Sequence, residues 1–170
     1  MDRILIIGSS GAGKSTLSRA LAARLTMPAI HLDQLYWRPG WQTCDEASFK
    51  RRVAEAVAQP RWVMDGNFAT TLAERLARAD TVLWLDYGRP TCFWRVAKRT
   101  WRHFGRNRPD MADGCPERLD LEFLAYIWSF RRRQVPRLAA ALAEYGRHAH
   151  LHMLKTPRDT AHLLAALGRT

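Results

Sequence analysis

Cysteine is scarce in this 170-residue chain: Cys44, Cys92 and Cys115 are the only three. They are odd in number, widely spaced and form no zinc-binding pattern, which excludes a disulfide scaffold and suits a reducing compartment. No apolar run approaches the roughly 20 residues needed to cross a bilayer. The apolar start at Ile4–Ile7 is too short for a secretory leader, so the expectation is a cytoplasmic protein with no membrane partner. Internal repeats, low-complexity tracts and linkers are missing, which leaves a single domain over residues 1–170. No helix-turn-helix or other nucleic-acid reading motif is visible. Acidic residues are few, 16 against 27 Lys and Arg, for a net charge of +11. Lysine supplies only four of those cations. The surplus is arginine, whose planar fork grips phosphate oxygens in pairs. Such a charge points to polyphosphate substrates or to a nucleic-acid surface. A hydrophobic content of 47% with seven tryptophans excludes disorder.

The most informative stretch is Gly8-Ser9-Ser10-Gly11-Ala12-Gly13-Lys14-Ser15-Thr16, which fits G-x-x-x-x-G-K-[ST]. Glycines let the backbone curl so that several N–H groups face anionic oxygens. Lys14 can reach β- and γ-phosphates, and the Ser15 hydroxyl can ligate Mg²⁺. The flanks fit the motif. Arg3–Ile7 reads as a short buried strand, and Leu17, Leu21 and Leu25 share one face of the helix after the loop. Strand, loop and helix come in the order that lets a helix N-terminus meet a phosphate.

Further along, Ala29–Asp33 reads as a second strand ending in an acid. Asp33 there faces an acceptor or the Mg²⁺ shell, or else caps a turn. Gln34–Trp41 is aromatic with a Pro-Gly turn, which walls a pocket by stacking or packs the loop down. Thr43 and Glu46 have the spacing of a capping box for a helix over about 45–58. Arg61–Asp65 and Thr81–Asp86 read as third and fourth strands, each again ending in an acid, with a helix over Phe68–Ala79 between them. An acid after an apolar strand is placed to hold Mg²⁺. Asp65 is favoured, because Asp-Gly-Asn permits close approach; Asp86 is the alternative, or else anchors the next loop. Thr91–His103 reads as a basic, aromatic helix, and Phe104–Pro116 as a mobile loop. A helix then runs from Pro116 to Arg133 and ends in Arg131-Arg132-Arg133. Helical geometry lets one or two of those three reach a single ligand. Pro136 breaks or kinks this helix before it continues through Ala139–Ala143 to Gly146. Ala149–Leu154 is the fifth strand; its alternate histidines lack acidic or Cys partners for a metal site. A loop over Lys155–Asp159 and a last helix through Leu167 close the chain. Five strands alternating with helices predict an α/β fold: a parallel sheet with helices on both faces.

These residues carry a resemblance. The chain resembles the adenylate-kinase-like branch of P-loop kinases, and more narrowly a bacterial group labelled adenylate-kinase-related or DNA topology modulation proteins. It rests on Gly8–Thr16, His31-Leu32-Asp33 with Trp37-Arg38-Pro39-Gly40-Trp41, Trp62–Asn67, Ala79–Asp86 and Arg106–Glu122. The resemblance implies a three-layer α/β/α P-loop NTPase fold with a five-stranded parallel sheet and a small helical lid over about 104–133. It implies an ATP-binding phosphotransferase that moves the γ-phosphoryl group to a small acceptor with Mg²⁺. Gly8, Ser9, Ser10, Gly11, Ala12, Gly13, Lys14, Ser15 and Thr16 would cradle the donor phosphates. Asp65 would share Mg²⁺ with Ser15. Arg95, Arg99 and a returning arginine, Arg132, would clamp phosphates, and Pro157 lies in the loop that touches the donor base. Asn67 and Phe68 replace the Phe-Pro of nucleoside monophosphate kinases, and the arginine that usually comes next is missing, which argues against AMP as acceptor. With a hydroxyl acceptor, Asp33 becomes the candidate base. The alternative expectation is a nucleotide-gated DNA-binding protein, motivated by the charge and the Trp/Arg stretch from Arg89 to Arg108.

Overall fold

The computed structural model describes residues 1–167. The chain runs β1 (Arg3–Gly8), α1 (Lys14–Leu25), β2 (Ala29–His31), α2 (Leu32–Tyr36), a small hairpin β3 (Trp37–Arg38) and β4 (Gln42–Thr43), and α3 (Glu46–Ala58). Then come β5 (Trp62–Asp65), a 3₁₀ turn (Ala69–Thr71), α4 (Leu72–Arg78), β6 (Thr81–Leu85), α5 (Arg89–His103), α6 (Leu121–Arg133), α7 (Val135–Tyr145), β7 (His150–Leu154) and α8 (Pro157–Ala166).

The main sheet has five strands in the order β2-β5-β1-β6-β7, all parallel. The side-chain period of two divides β1 between two cores. Leu5 and Ile7 face one with Trp62, Met64, Val82 and Trp84, covered by Phe49 and Val53 of α3, Leu72 and Leu76 of α4, and Leu138 of α7. Ile4 and Ile6 face the other with Val63, Leu83 and Leu85, covered by Leu17 and Leu21 of α1, Cys92 and Val96 of α5, and Leu163 of α8. Helix α6 serves both, through Phe130 and Ile127. The result is the three-layer α/β/α architecture, and the C-terminal ends of β1, β2, β5 and β6 open on one crevice.

Several local expectations shift. Strand β2 stops at His31, and Asp33 lies in the first turn of α2 rather than at a strand end. The chain turns there because Leu32 is fully buried as the first residue of the helix. Helix α3 is capped by Asp45, which accepts from Ser48 N at 2.8 Å, and not by Thr43. Thr43 is committed to β4, and Cys44 N donates to Tyr36 O at 2.9 Å. Strand β6 ends at Leu85, which leaves Asp86 just beyond it. The helix expected over Phe68–Ala79 opens as the 3₁₀ turn and becomes α-helical at Leu72. The helix expected from Pro116 starts at Leu121, where Asp120 accepts from Phe123 N. Pro136 occupies the first turn of α7, so helix restarts at Val135 after Gln134. Thr156 and Asp159 form a reciprocal capping box, so α8 begins at Pro157 inside the stretch expected to be loop.

The segment 104–120 is irregular but pinned. It closes on itself through a Phe104–Glu117 bridge. It also docks on the hairpin: Gln34 Nε2 donates to Pro109 O at 2.8 Å, Gly40 N to Gly114 O at 2.8 Å and Trp41 Nε1 to Pro116 O at 3.0 Å.

Candidate functional site

The site grows from the turn after β1. Gly8 and Gly11 have φ of +139° and +81°, and a Cβ on either would sit 2.3 Å from a backbone oxygen, of Leu85 and Cys92 respectively. Only glycine lets the loop pass this close to β6 and α5. Gly13, at φ +97°, precedes α1, and no side chain caps the first amides of that helix. Those N–H groups and the helix dipole make an anion site. Ser9, Ser10 and Ala12 complete the turn between β1 and α1, and Thr16 is exposed in the first turn of the helix. The Lys14 ammonium lies across the loop, donating to Gly8 O at 2.9 Å and Ser9 O at 3.1 Å.

Two neighbouring strands bring carboxylates and an amide to this loop. Parallel pairing sets His31 of β2 beside Asp65 of β5, and Asp65 beside Ile6 of β1. Ser15 Oγ donates to Asp65 Oδ1 at 3.1 Å, and His31 Nδ1 meets Asp65 Oδ2 at 2.5 Å. His31 and Asp65 are both buried. Asn67 then clamps the loop's first residue: Gly8 N donates to its Oδ1 at 3.1 Å, and its Nδ2 donates to Gly8 O at 2.8 Å. The backbone of Asn67 is held in turn by Arg75, which is fully buried and donates to Gly66 O, Asn67 O, Phe68 O, Thr71 O and Thr71 Oγ1. Burial pulls Arg75 down to about 9, so it stays charged near neutrality, solvated by carbonyl dipoles in place of water.

The electrostatics of the crevice are tight. Burial lowers the Lys14 pKa, against the raising influence of Asp65 and Asp33. Burial raises that of Asp33, against Lys14 and Arg108. Asp33 makes no side-chain hydrogen bond or ion pair among the described residues, unlike Asp65 and Asp86. Asp86 pairs with Arg131 at 3.3 Å.

The arginines divide into groups. Arg95 Nη1 donates to Ala12 O at 3.1 Å, and its guanidinium lies 5.3 Å from the centre of the Tyr87 ring. Tyr87 OH meets Thr160 Oγ1, which ties α8 and Pro157 at its start to this side of the loop. Arg99 is paired with Glu117, through Nε at 3.0 Å and Nη2 at 2.9 Å. Of the triple arginine, Arg131 approaches the crevice through Asp86, while Arg132 is exposed and makes no contact with the loop among the described residues. Ile127, one turn before Arg131, is buried, and this sets the phase.

His31, Arg108, Asp110 and Glu117 belong to the site's surroundings; they lie in stretches that carried the resemblance but were assigned no role, and Arg75 lies in none of those stretches. A signal existed for Asn67, which comes directly after the Asp-Gly pair. Glu117 lay within the Arg106–Glu122 stretch, but its partners are fixed only by the folded loop.

The donors suit Mg²⁺. Ser15 and Asp65 offer hard oxygens, and no cluster of three or more His, Cys, Asp or Glu among the described residues could cage a metal. Mg²⁺ characteristically takes one or two protein oxygens and completes its shell with water and phosphate.

No protein-family model matches the chain. A shikimate kinase from Symbiobacterium thermophilum is 32% identical over 108 residues, 55% of this chain and 62% of that protein. The chain thus spans less than two thirds of this relative's length. Among solved structures, a shikimate kinase from Acinetobacter baumannii in complex with shikimate superposes with a TM-score of 0.54 at 17% identity, covering 98% of this chain and 90% of that one. A gluconokinase from Sinorhizobium meliloti gives 0.52 at 16%, covering 98% and 93%. A shikimate kinase from Bacteroides thetaiotaomicron gives 0.52 at 19%, covering 98% and 96%. The fold is that of P-loop kinases. No helix among the described residues is long and apolar enough to cross a membrane.

Proposed function

We propose that the protein is an ATP- and Mg²⁺-dependent phosphotransferase that moves the γ-phosphoryl group to a hydroxyl of a small polar acceptor. The observation that carries this reading is Asp33: an uncommitted carboxylate, close enough to Lys14 for each to shift the other. A phosphate acceptor needs no base, whereas a hydroxyl must lose its proton. Burial raises the pKa of Asp33 above the ordinary carboxylate value and so makes its carboxylate a stronger base than one in water. The name of the 32% identical relative supports an alcohol acceptor as well.

In this reading Gly8–Thr16 and Lys14 hold the triphosphate. Ser15 and Asp65 hold Mg²⁺, with His31 orienting the Asp65 carboxylate. Bound Mg²⁺ neutralises charge on the β- and γ-oxygens. Arg95 and Arg99 add positive charge along the loop, Arg131 and Arg132 lie at the far side, and Pro157 flanks the donor base. Segment 104–120 covers the crevice and excludes water. The test is an ADP-release screen with ATP, Mg²⁺ and a panel of hydroxyl compounds, nucleosides and nucleoside monophosphates. A hydroxyl compound should stimulate release and AMP should not. If well-folded protein takes up no nucleotide by calorimetry with Mg²⁺ present, the reading fails.

A second reading, nucleic-acid binding, is favoured by one observation. Trp94, Trp101 and Phe104 are exposed, Trp101 by 87%, beside exposed Lys98 and Arg102. Aromatic platforms among cations suit single-stranded bases. A dissociation constant that stays weaker than about 10⁻⁴ M at low salt removes it.

A further inference from the structure

The loop over 104–120 holds a chain of charges to which the sequence alone assigned no role. At its centre is Glu117, only 5% exposed. Its Oε1 accepts from Arg99 Nε at 3.0 Å and from Thr100 Oγ1 at 3.0 Å, with Arg99 Nη2 at 2.9 Å. Its Oε2 lies 2.6 Å from Arg108 Nε. Arg108 Nη1 reaches on to Asp110 at 2.9 Å, and Asp110 meets Arg19 of α1 at 3.3 Å. One carboxylate thus gathers two guanidiniums from different segments, α5 and the loop. The backbone of Glu117 also closes the loop's base, accepting from Gly105 N and donating to Arg106 O.

The network lies beside the phosphate loop: Arg95, one turn before Arg99 on α5, donates to Ala12 O at 3.1 Å, and Asp110, the partner of Arg108, meets Arg19 of α1, the helix that the loop opens into. The charge of Arg99 bears on Lys14, and that of Arg108 on Asp33. Lys14 and Asp33 are the donor and acceptor sides of the proposed reaction. Two cations this close repel, and a long arginine side chain carries considerable rotamer freedom that is lost when it is fixed. A buried carboxylate between them offsets the repulsion and fixes both forks in advance. Arg99 Nη1 meanwhile makes no hydrogen bond or ion pair among the described residues, and the guanidinium lies 5.8 Å from the centre of the Phe123 ring.

Building on the phosphotransferase reading, we infer that Glu117 is a positioning residue that presents Arg99 and Arg108 together to the terminal phosphoryl group. The loop then senses whether a γ-phosphate is present, and the cations that Glu117 holds discriminate triphosphate from diphosphate. A carboxylate that only staples the loop would affect both nucleotides alike.

The test is calorimetric and needs no acceptor. It compares the dissociation constants of Mg²⁺·ADP and of the Mg²⁺ complex of a non-hydrolysable ATP analogue with an imido group between the β- and γ-phosphorus atoms. Wild type should bind the triphosphate roughly tenfold tighter, since two charge-assisted contacts are added. Glu117→Gln should bring the two constants within about twofold of each other while that for ADP moves less than about threefold. Arg108→Lys keeps the charge but loses the fork, and should show the same loss; it carries the test if Glu117→Gln does not fold. Arg102→Ala, exposed on the same helix as Arg99, should keep the wild-type ratio. A folded Glu117→Gln protein with the ratio intact, or with both nucleotides weakened equally, overturns the inference alone. Wild type that binds neither nucleotide overturns the kinase reading and this inference with it.

Discussion

Asn67 offers the sharpest perturbation, because among the described residues its amide is the one side chain that holds Gly8 through both backbone groups. Asn67→Ala removes an acceptor at 3.1 Å and a donor at 2.8 Å. Each such bond contributes about 0.5–1.5 kcal/mol net, so the pair is worth roughly 1–3 kcal/mol. Gly8 O keeps one partner, Lys14 Nζ, so the loss sits toward the lower end for stability. The loop's shape depends on Gly8, so the same energy should appear in nucleotide binding. At about 1.4 kcal/mol per decade, Mg²⁺·ADP affinity should fall roughly tenfold. Asn67→Asp is nearly isosteric but harsher: it turns an oxygen on Gly8 O and adds negative charge beside the phosphates. It should weaken nucleotide more than Asn67→Ala does. Urea unfolding reads the stability and calorimetry reads the affinity, in the same buffer. The reasoning is refuted if both variants bind and unfold like wild type, within about 0.5 kcal/mol.

Other outcomes rest on the same geometry. Lys14→Ala should abolish turnover while the circular dichroism and melt stay close to wild type; normal turnover would defeat its assignment. Arg75→Met leaves buried carbonyls of Gly66, Asn67 and Phe68 unpaired and should cost roughly 3 kcal/mol in urea unfolding; a neutral result would mean that the 66–68 turn holds without it. Burial raises Asp33 above 3.8, so the folded protein binds its proton more tightly than the unfolded chain. Its contribution to stability is complete below 3.8 and is lost as pH rises through the raised value. Asp33→Asn should therefore melt above wild type near neutral pH and no higher in acid, while transfer to a hydroxyl acceptor is lost; an equal melt at both pH values argues against a desolvated carboxylate.

Much of the centre was legible because it is local. In Gly8–Thr16 the glycines, lysine and serine lie within nine consecutive residues, and short-range backbone geometry brings them to one point. The five strands were readable as apolar runs because a parallel sheet is buried on both faces. Boundaries were less legible where two residues compete for one role. Thr43 and Asp45 can both cap a helix, and only the pairing of Trp37 with Thr43 in the hairpin assigns the cap to Asp45. Likewise Arg131 and Arg132 are neighbours of the same type, and the phase of α6 on the core brings the first to Asp86.

What the amino-acid order determined by itself is the phosphate-binding turn, the α/β class and the acids at or just past the strand ends. What only the tertiary structure decided is which distant groups complete them: His31 on Asp65, Asn67 on Gly8, Glu117 between Arg99 and Arg108. The reason is physical. Period and propensity act over a few residues, whereas these pairs are set by the register of β2, β5 and β1 and by the docking of the 104–120 loop. Those are contacts between segments, and their energy exists once the sheet has formed.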